Sequence, residues 1–151
     1  MTSSHQNAAT VLDMLDAIWN RGDLSVLDTA VADDHVDHDD DGDEIGRALL
    51  AQGIGEYLAA FPDLRMTFDE QIAEGDRVVT RWTGSGTHQG ALPGIPATGR
   101  SARISGIFIH RLSDGIVTES WASFAGPPPA GWPARRRDRH PCEPPAGSRR
   151  K

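Results

Sequence analysis

The sequence predicts an α+β fold, with helices in the first half and an antiparallel sheet in the second. Up to Phe61, apolar residues recur every three or four positions, which is the period of a helix. After Pro62 they recur every second position, which is the period of a half-buried strand. Helices followed by consecutive strands are typical of the α+β class. The length of 151 residues suits one domain.

Three helices are predicted, over residues 8–19, 24–31 and 44–61. Ser3 or Ser4 can cap the first helix, because a hydroxyl oxygen accepts from the free N–H groups at a helix start. Gly22 follows as a natural C-terminal cap. Pro62 ends the third helix, because the residue before a proline is disfavoured in helical conformation.

Four strands are predicted, over residues 65–72, 77–86, 102–112 and 116–124. Turns at 74–76 and 113–115 join consecutive strands, and a loop with three glycines and two prolines covers 90–99. Alternation places Trp82 on one face with Val78 and Thr80. It likewise places His110 on one face with Phe108.

The charge of the chain is divided between two regions. Residues 1–125 carry 20 acidic and eight basic side chains, whereas residues 126–151 carry two acidic and seven basic ones. An acidic body does not suit nucleic-acid binding, which needs clustered Lys and Arg. The 126–151 tail is rich in Pro, Gly and Arg and lacks apolar periodicity, which predicts disorder. We therefore expect a folded domain over 1–125 followed by a disordered tail.

The sequence also limits the cellular setting. No apolar stretch approaches the length of a membrane span, and the first residues do not form a secretory signal. We therefore predict a cytoplasmic protein that has no membrane partner. The single cysteine, Cys142, cannot form an internal disulfide. Cys142 lies in the tail and is a poor candidate nucleophile.

An acidic run over 33–44 has eight carboxylates in twelve residues and contains two histidines. We expect His38 at the mouth of a pocket and His35 exposed to solvent. Residues 37–42 begin like a calcium-binding loop, but the twelfth position, which needs a bidentate Glu, is Ala48. The prediction is therefore that the chain holds no metal.

Several motifs, in this order and spacing, resemble the SnoaL-like polyketide cyclase (ester cyclase) family of the nuclear-transport-factor-2-like superfamily. They are WNRGDL at 19–24, HVDH at 35–38, AFPDL at 60–64, IAEGDRVV at 72–79, RWTGSGTH at 81–88, GIPATGR at 94–100, and DG at 114–115 followed by ESW at 119–121.

The resemblance implies a cone-shaped fold, in which helices pack on a curved antiparallel sheet and enclose an apolar pocket. It implies a hydrophobic, oxygenated small-molecule substrate such as a polyketide intermediate, and a homodimer that pairs through the sheets. It also implies ring closure by aldol condensation without a cofactor, in which a carboxylate removes a proton alpha to a carbonyl. Cyclisation, isomerisation and epoxide opening are the reaction types expected.

One departure from the family pattern directs the choice of site residues. The cyclases carry an acid/base aspartate on the last strand shortly after the position of Trp121, but this chain reads WASF at 121–124. Glu119 lies on the face of that strand opposite Ser120, and the resemblance places the Ser120 face inward. A histidine is the natural substitute base, since its pKa lies near neutrality. The proton-transfer candidates are His38, His88 and His110, and the ligand-binding candidates are Trp82, Tyr57, Phe61, Phe108 and Ser120.

Two other functions stay open. The missing carboxylate on the last strand favours a non-catalytic protein that binds a ligand or serves as a dimerising accessory module. The basic tail could dock a nucleic acid or an acidic partner. An enclosed cavity with two or more convergent polar groups would favour an enzyme, whereas a cavity filled by Trp and Phe would favour a structural role.

Overall fold

The computed structural model describes residues 2–39 and 42–125. The 126–151 tail and Cys142 lie outside the described residues, and so do the predictions made for them. In the described part of the chain, no helix is both long enough and apolar enough to cross a membrane.

The first helix confirms the predicted caps. α1 covers Ser4–Arg21, and Ser3 forms a capping box with Gln6 at its start. Gly22 ends it in the left-handed conformation at φ 65°, which glycine adopts without a steric penalty.

The second helical region and the third helix are shorter than the sequence predicts. A 3₁₀ turn at Leu24–Val26 leads into α2 at Leu27–Ala30. α3 covers Arg47–Ala60 and ends just before Phe61-Pro62. Its start lies three residues after the predicted one, because the preceding residues form a strand.

Among the described residues, six strands form one sheet in the order β2-β1-β6-β5-β4-β3. They are β1 Val31–Asp39, β2 Gly42–Ile45, β3 Arg65–Glu74, β4 Arg77–Thr87, β5 Ser101–Ser113 and β6 Ile116–Ala125. The α+β class is confirmed, and β3 to β6 form the predicted antiparallel meander. The pairing of β1 with β6 is parallel, so the sheet is mixed.

The acidic run forms two strands, β1 and β2. Residues 31–39 pair with β6 on one side and with β2 on the other. Asp is depleted in strands, so local preference favours a loop here. Tertiary pairing overrides that preference, since Val31 and His35 are buried while Asp33 and Asp34 stay exposed.

The core lies between the helices and the inner face of the sheet. α1 packs mainly against β3, burying Val11, Met14, Leu15 and Ile18. The amide of Asn20 fixes the end of α1 to β3 by donating to the Met66 carbonyl at 2.9 Å and accepting from the Met66 N–H at 2.8 Å. The amide therefore completes backbone hydrogen bonds at the start of β3, much as a neighbouring strand would.

Gly106 is the tightest point of the sheet. It pairs with Trp82 across β4 and β5, and the indole lies over it. A Cβ on Gly106 would lie 2.6 Å from the Trp82 ring and would also clash with the carbonyl oxygen of Ser123.

We predict that Gly106→Ala lowers the free energy of unfolding by about 3 kcal/mol, because neither the indole nor the backbone can move away freely. Gly55→Ala is the matched control. Gly55 lies inside α3, and the nearest atom to its added methyl would be 3.8 Å away. This variant should be neutral or stabilising by up to about 1 kcal/mol. Urea denaturation measures both, and equal effects would contradict the packing argument.

Candidate active site

A cavity of about 330 Å³ lies between α1, α3 and the inner face of the sheet. Most of its wall is apolar, formed by side chains of both helices and by residues of β1, β5 and β6. Its apolar lining includes Met14, Leu15, Ile18, Trp19, Leu27, Val31, Leu49, Leu50, Ile54, Tyr57, Phe108 and Val117. The polar lining residues are His35, Asp37, His38, Glu44, Glu56, His110 and Ser120.

Three of the polar residues stand side by side across three strands. His110 on β5 is the register partner of Ser120 on β6, and Ser120 is the register partner of Asp37 on β1. We call these three residues, His110, Ser120 and Asp37, the inner row. Neighbouring strands lie about 4.8 Å apart, so their imidazole, hydroxyl and carboxylate are close enough to contact one ligand. Glu44 on β2 continues the row beyond Asp37.

A hydrogen-bond chain fixes the carboxylate of the inner row. Ser120 Oγ donates to Asp37 Oδ1 at 2.8 Å and lies 2.9 Å from His35 Nε2. Because the hydroxyl has one hydrogen, His35 must donate to it, which assigns the hydrogen of His35 to Nε2. The expectation that His35 is exposed is wrong, since only 1% of this residue is exposed. Burial lowers the pKa of His35, so its imidazole is neutral at neutral pH.

His110 is buried against the apolar wall and makes no hydrogen bond to a described residue. Burial lowers the pKa of His110 to about 4, and the nearby His35 adds to that effect. Its Nδ1 is fully enclosed and without a partner. A buried N–H without an acceptor is costlier than a buried lone pair, so we assign the hydrogen to Nε2. The cavity therefore contains a neutral imidazole whose free N–H group can meet a ligand oxygen.

His38 lies at the cavity rim, but its ring belongs to the outer face of the sheet. The imidazole stacks on Trp121 with the ring centres 4.6 Å apart. Its Nδ1 bonds Asp43 at 2.8 Å and its Nε2 contacts Glu119 at 3.3 Å. The hydrogen bond with Asp43 is the main cause of a raised pKa of His38. Both nitrogens are therefore engaged by carboxylates and turned away from Ser120.

His88 and Phe61 lie together outside the main cavity. Their rings stack with centres 5.2 Å apart, in a small cluster with Ala60, Leu92 and Ile95. His88 is fully buried, and its Nδ1 lies 3.1 Å from the Thr98 hydroxyl. The structure does not bring these two predicted site residues to the cavity. Instead they anchor the 88–100 loop against the end of α3.

The aromatic ligand-binding candidates divide between the cavity and the core. Phe108 and Tyr57 line the cavity, from the sheet and from α3 respectively. Trp82 is buried behind Phe108, with ring centres 5.0 Å apart, and is not part of the cavity wall. Of the eight predicted site residues, His110, Ser120, Tyr57 and Phe108 line the cavity, His38 lies at its rim, and Trp82, His88 and Phe61 lie elsewhere.

Sequence reasoning missed Asp37 and His35 as inward-facing groups. Their two-residue spacing is the available signal, since residues i and i+2 of a strand share a face. The density of carboxylates around them disfavours a strand, because Asp is depleted in strands. Within residues 2–39 and 42–125, no cluster of three or more His, Cys, Asp or Glu could hold a metal ion.

The fold is shared with known proteins. The model of the SnoaL-like polyketide cyclase family matches residues 9–125. AclR, a proposed hydroxylase of Streptomyces galilaeus, is 33% identical, with 82% of this chain and 91% of that one covered at a TM-score of 0.72. IdmH, a proposed polyketide cyclase of Streptomyces antibioticus, is 29% identical over 80% of this chain and 92% of that one at a TM-score of 0.67.

A third structure, a SnoaL-like polyketide cyclase from Jannaschia sp. CCS1, is 22% identical and shares the fold, with 82% of this chain and 90% of that one covered at a TM-score of 0.76. No curated protein matches the chain significantly. Helices on a mixed sheet around an apolar cavity with polar groups on its floor define a small-molecule pocket protein of the α+β class. The chain belongs to the SnoaL-like polyketide cyclase family.

The burial of His110 predicts a specific pH dependence of stability. Its pKa falls from 6.5 to about 4 on folding, so between these values the unfolded chain binds more protons. Its contribution to stability is thus present above pH 6.5 and is lost as the pH falls towards 4. The free energy of unfolding of the wild type should fall between pH 7 and pH 4.5. His110→Phe should reduce that fall by up to about 3 kcal/mol, as measured by urea denaturation at both pH values.

His5→Ala, at an exposed histidine of α1, is the matched control and should retain the wild-type difference between the two pH values. A His110→Phe variant with an unchanged pH dependence would show that His110 is solvated.

Proposed function

We propose that this protein catalyses proton transfer next to a carbonyl group of a hydrophobic, oxygenated small molecule, of the kind that closes a ring or shifts a double bond. The reaction uses the chain's own side chains as acid and base. The observation that carries the proposal is the inner row. A fixed carboxylate and a neutral imidazole lie on the floor of an apolar cavity of about 330 Å³.

Asp37 is the proposed base. Ser120 holds one oxygen of its carboxylate, which leaves the other to take a proton from the substrate. Removal of a proton alpha to a carbonyl is chemistry that a positioned carboxylate performs, with a contribution of about 10²–10⁴ in rate. This replaces the expectation that a histidine must serve, because β1 supplies the carboxylate that the last strand lacks.

His110 is the proposed donor to the oxygen that becomes negative. A neutral N–H on this cavity-lining ring would stabilise a developing enolate without giving up a proton. An imidazolium would be a stronger donor, but the lowered pKa of His110 keeps the ring neutral. The apolar wall then orients the carbon skeleton, and Tyr57 and Phe108 offer aromatic surfaces against which it can pack.

The non-catalytic alternative receives less support from this geometry. A cavity filled by aromatic side chains would favour it, whereas here Trp82 packs in the core and polar groups converge on open space.

Exchange of carbon-bound hydrogen provides a test that needs no natural substrate. 2-Tetralone is a bicyclic ketone with acidic alpha protons, and NMR in deuterated buffer follows their replacement. We expect the protein to accelerate the exchange, Asp37→Asn to reduce the enzymatic rate by at least about 10²-fold, and His110→Phe by about 10²-fold.

Asp43→Asn is the control for the exchange experiment, because this carboxylate bonds His38 on the outer face of the sheet. It should leave the rate unchanged. Exchange by Asp37→Asn at the wild-type rate would exclude Asp37 as the base.

We also propose that two copies pair through the outer face of the sheet. Ile72 is 62% exposed and Ile107 is 43% exposed on that face, and pairing of two copies would remove both side chains from water. A two-fold dimer would place the same face of each copy in the contact.

Ile107→Glu should convert a dimer into a monomer in sedimentation velocity, because the contact would bury an unpaired charge. Leu12→Glu, at an exposed position of α1, is the control and should stay dimeric. A monomeric wild-type protein would refute the pairing.

A further inference from the structure

The wall that α3 contributes to the cavity contains a gap. The lining residues of this helix lie on one of its faces, and they are Leu49, Leu50, Gly53, Ile54, Glu56 and Tyr57. Gly53 stands at the middle of that face, with lining residues one turn before it and one turn after it. Residues three or four positions apart on a helix point the same way, so a side chain at position 53 would point towards the cavity. We call the gap at Gly53 the α3 notch.

No described residue fills the α3 notch. A Cβ built on Gly53 has no atom of another described residue within 4 Å. At Gly90, by contrast, a Cβ would lie 2.5 Å from the carbonyl oxygen of Ala59, so close packing explains that glycine. The backbone of Gly53 is helical, and a helix interior is more stable with alanine than with glycine. Neither packing against the described residues nor backbone conformation therefore requires a glycine at position 53.

The place of the α3 notch decides how broad a ligand the cavity can hold. The cavity lies between this helix and the inner face of the sheet, which carries Phe108 and the inner row. A side chain at position 53 would narrow that space, whereas glycine lets a ligand approach the helix backbone itself. Apolar contact stabilises a complex roughly in proportion to the area removed from water. A broad ring system therefore gains more from the α3 notch than a narrow one.

We propose that Gly53 is a specificity-determining residue, and that the α3 notch receives the apolar part of a broad, fused-ring ligand. The carbonyl group of that ligand lies at the inner row, and the ring farthest from the carbonyl lies against the backbone of Gly53. The cavity accordingly selects its ligands by breadth. This inference rests on the proposed small-molecule site and deepens it by naming the size class of the substrate.

Two ketones of different breadth test the inference: 2-tetralone, which has two fused rings, and cyclohexanone, which has one. NMR titration gives a Kd of each ketone for the wild type, Gly53→Ala and Gly53→Leu. We expect the wild type to bind 2-tetralone more tightly than cyclohexanone. Gly53→Ala should weaken the binding of 2-tetralone several-fold and Gly53→Leu at least about tenfold, because the added side chain occupies the space of the second ring. Both variants should bind cyclohexanone as the wild type does.

Gly55→Ala is the matched control, because it makes the same change in the same helix at a residue that does not line the cavity. Both alanine variants should keep or raise the urea concentration at the midpoint of unfolding, since alanine favours the helix. Only Gly53→Ala should weaken the binding of 2-tetralone. Equal weakening of both ketones by Gly53→Ala, or the same weakening by Gly55→Ala, would show an effect on the helix alone and would overturn the assignment to the α3 notch.

The outcomes separate this inference from the proposed function. If Gly53→Leu binds 2-tetralone as the wild type does, the ligand does not lie at Gly53 and the inference is wrong. It is also wrong if the wild type binds both ketones equally well or binds neither. If the affinities follow the expectation but the wild type does not accelerate hydrogen exchange of 2-tetralone, the selection by breadth holds and the proposed proton transfer fails.

Discussion

The parallel pairing of β1 with β6 is the constraint on which the site depends. It sets Asp37 beside Ser120, and the antiparallel pairing of β6 with β5 sets Ser120 beside His110. A shift of β1 by one residue would turn Asp37 and His35 outward and bring His38 inward, because side chains alternate between the faces of a strand. The register between β1 and β6 therefore decides which titratable groups face the cavity.

The two faces of the sheet use histidine in opposite ways. On the outer face, His38 lies between Asp43 and Glu119, and Glu119 continues to Arg111 at 3.1 Å. Carboxylate contacts raise the pKa of that imidazole. On the inner face, burial lowers the pKa of His35 and His110 and keeps both rings neutral. Since the residue type is the same, the environment alone separates a structural partner from a candidate functional group.

Close packing within the sheet supports the inner face that forms the cavity wall. Trp82 lies over Gly106 and stacks on Phe108, which forms part of the cavity wall. Asn20 fixes the end of α1, the helix that covers the cavity, to β3. This rigidity is what a site needs if its hydrogen-bond donors are to be in place before the ligand arrives.

The sequence by itself determined the fold class, the caps of α1, the four-strand meander, and the shared face of Phe108 and His110. These follow from local signals, namely the apolar period, the turn residues and strand alternation. The inward position of Ser120 was implied by the family resemblance. The sequence did not show that the acidic run forms β1 and β2, that His35 is buried, or that Trp82, His88 and Phe61 lie away from the cavity. Those facts depend on which strands pair and on which aromatic side chains pack in the core and which line the cavity. The contact between Asp37 and Ser120, for example, joins residues 83 positions apart, and no local pattern encodes it.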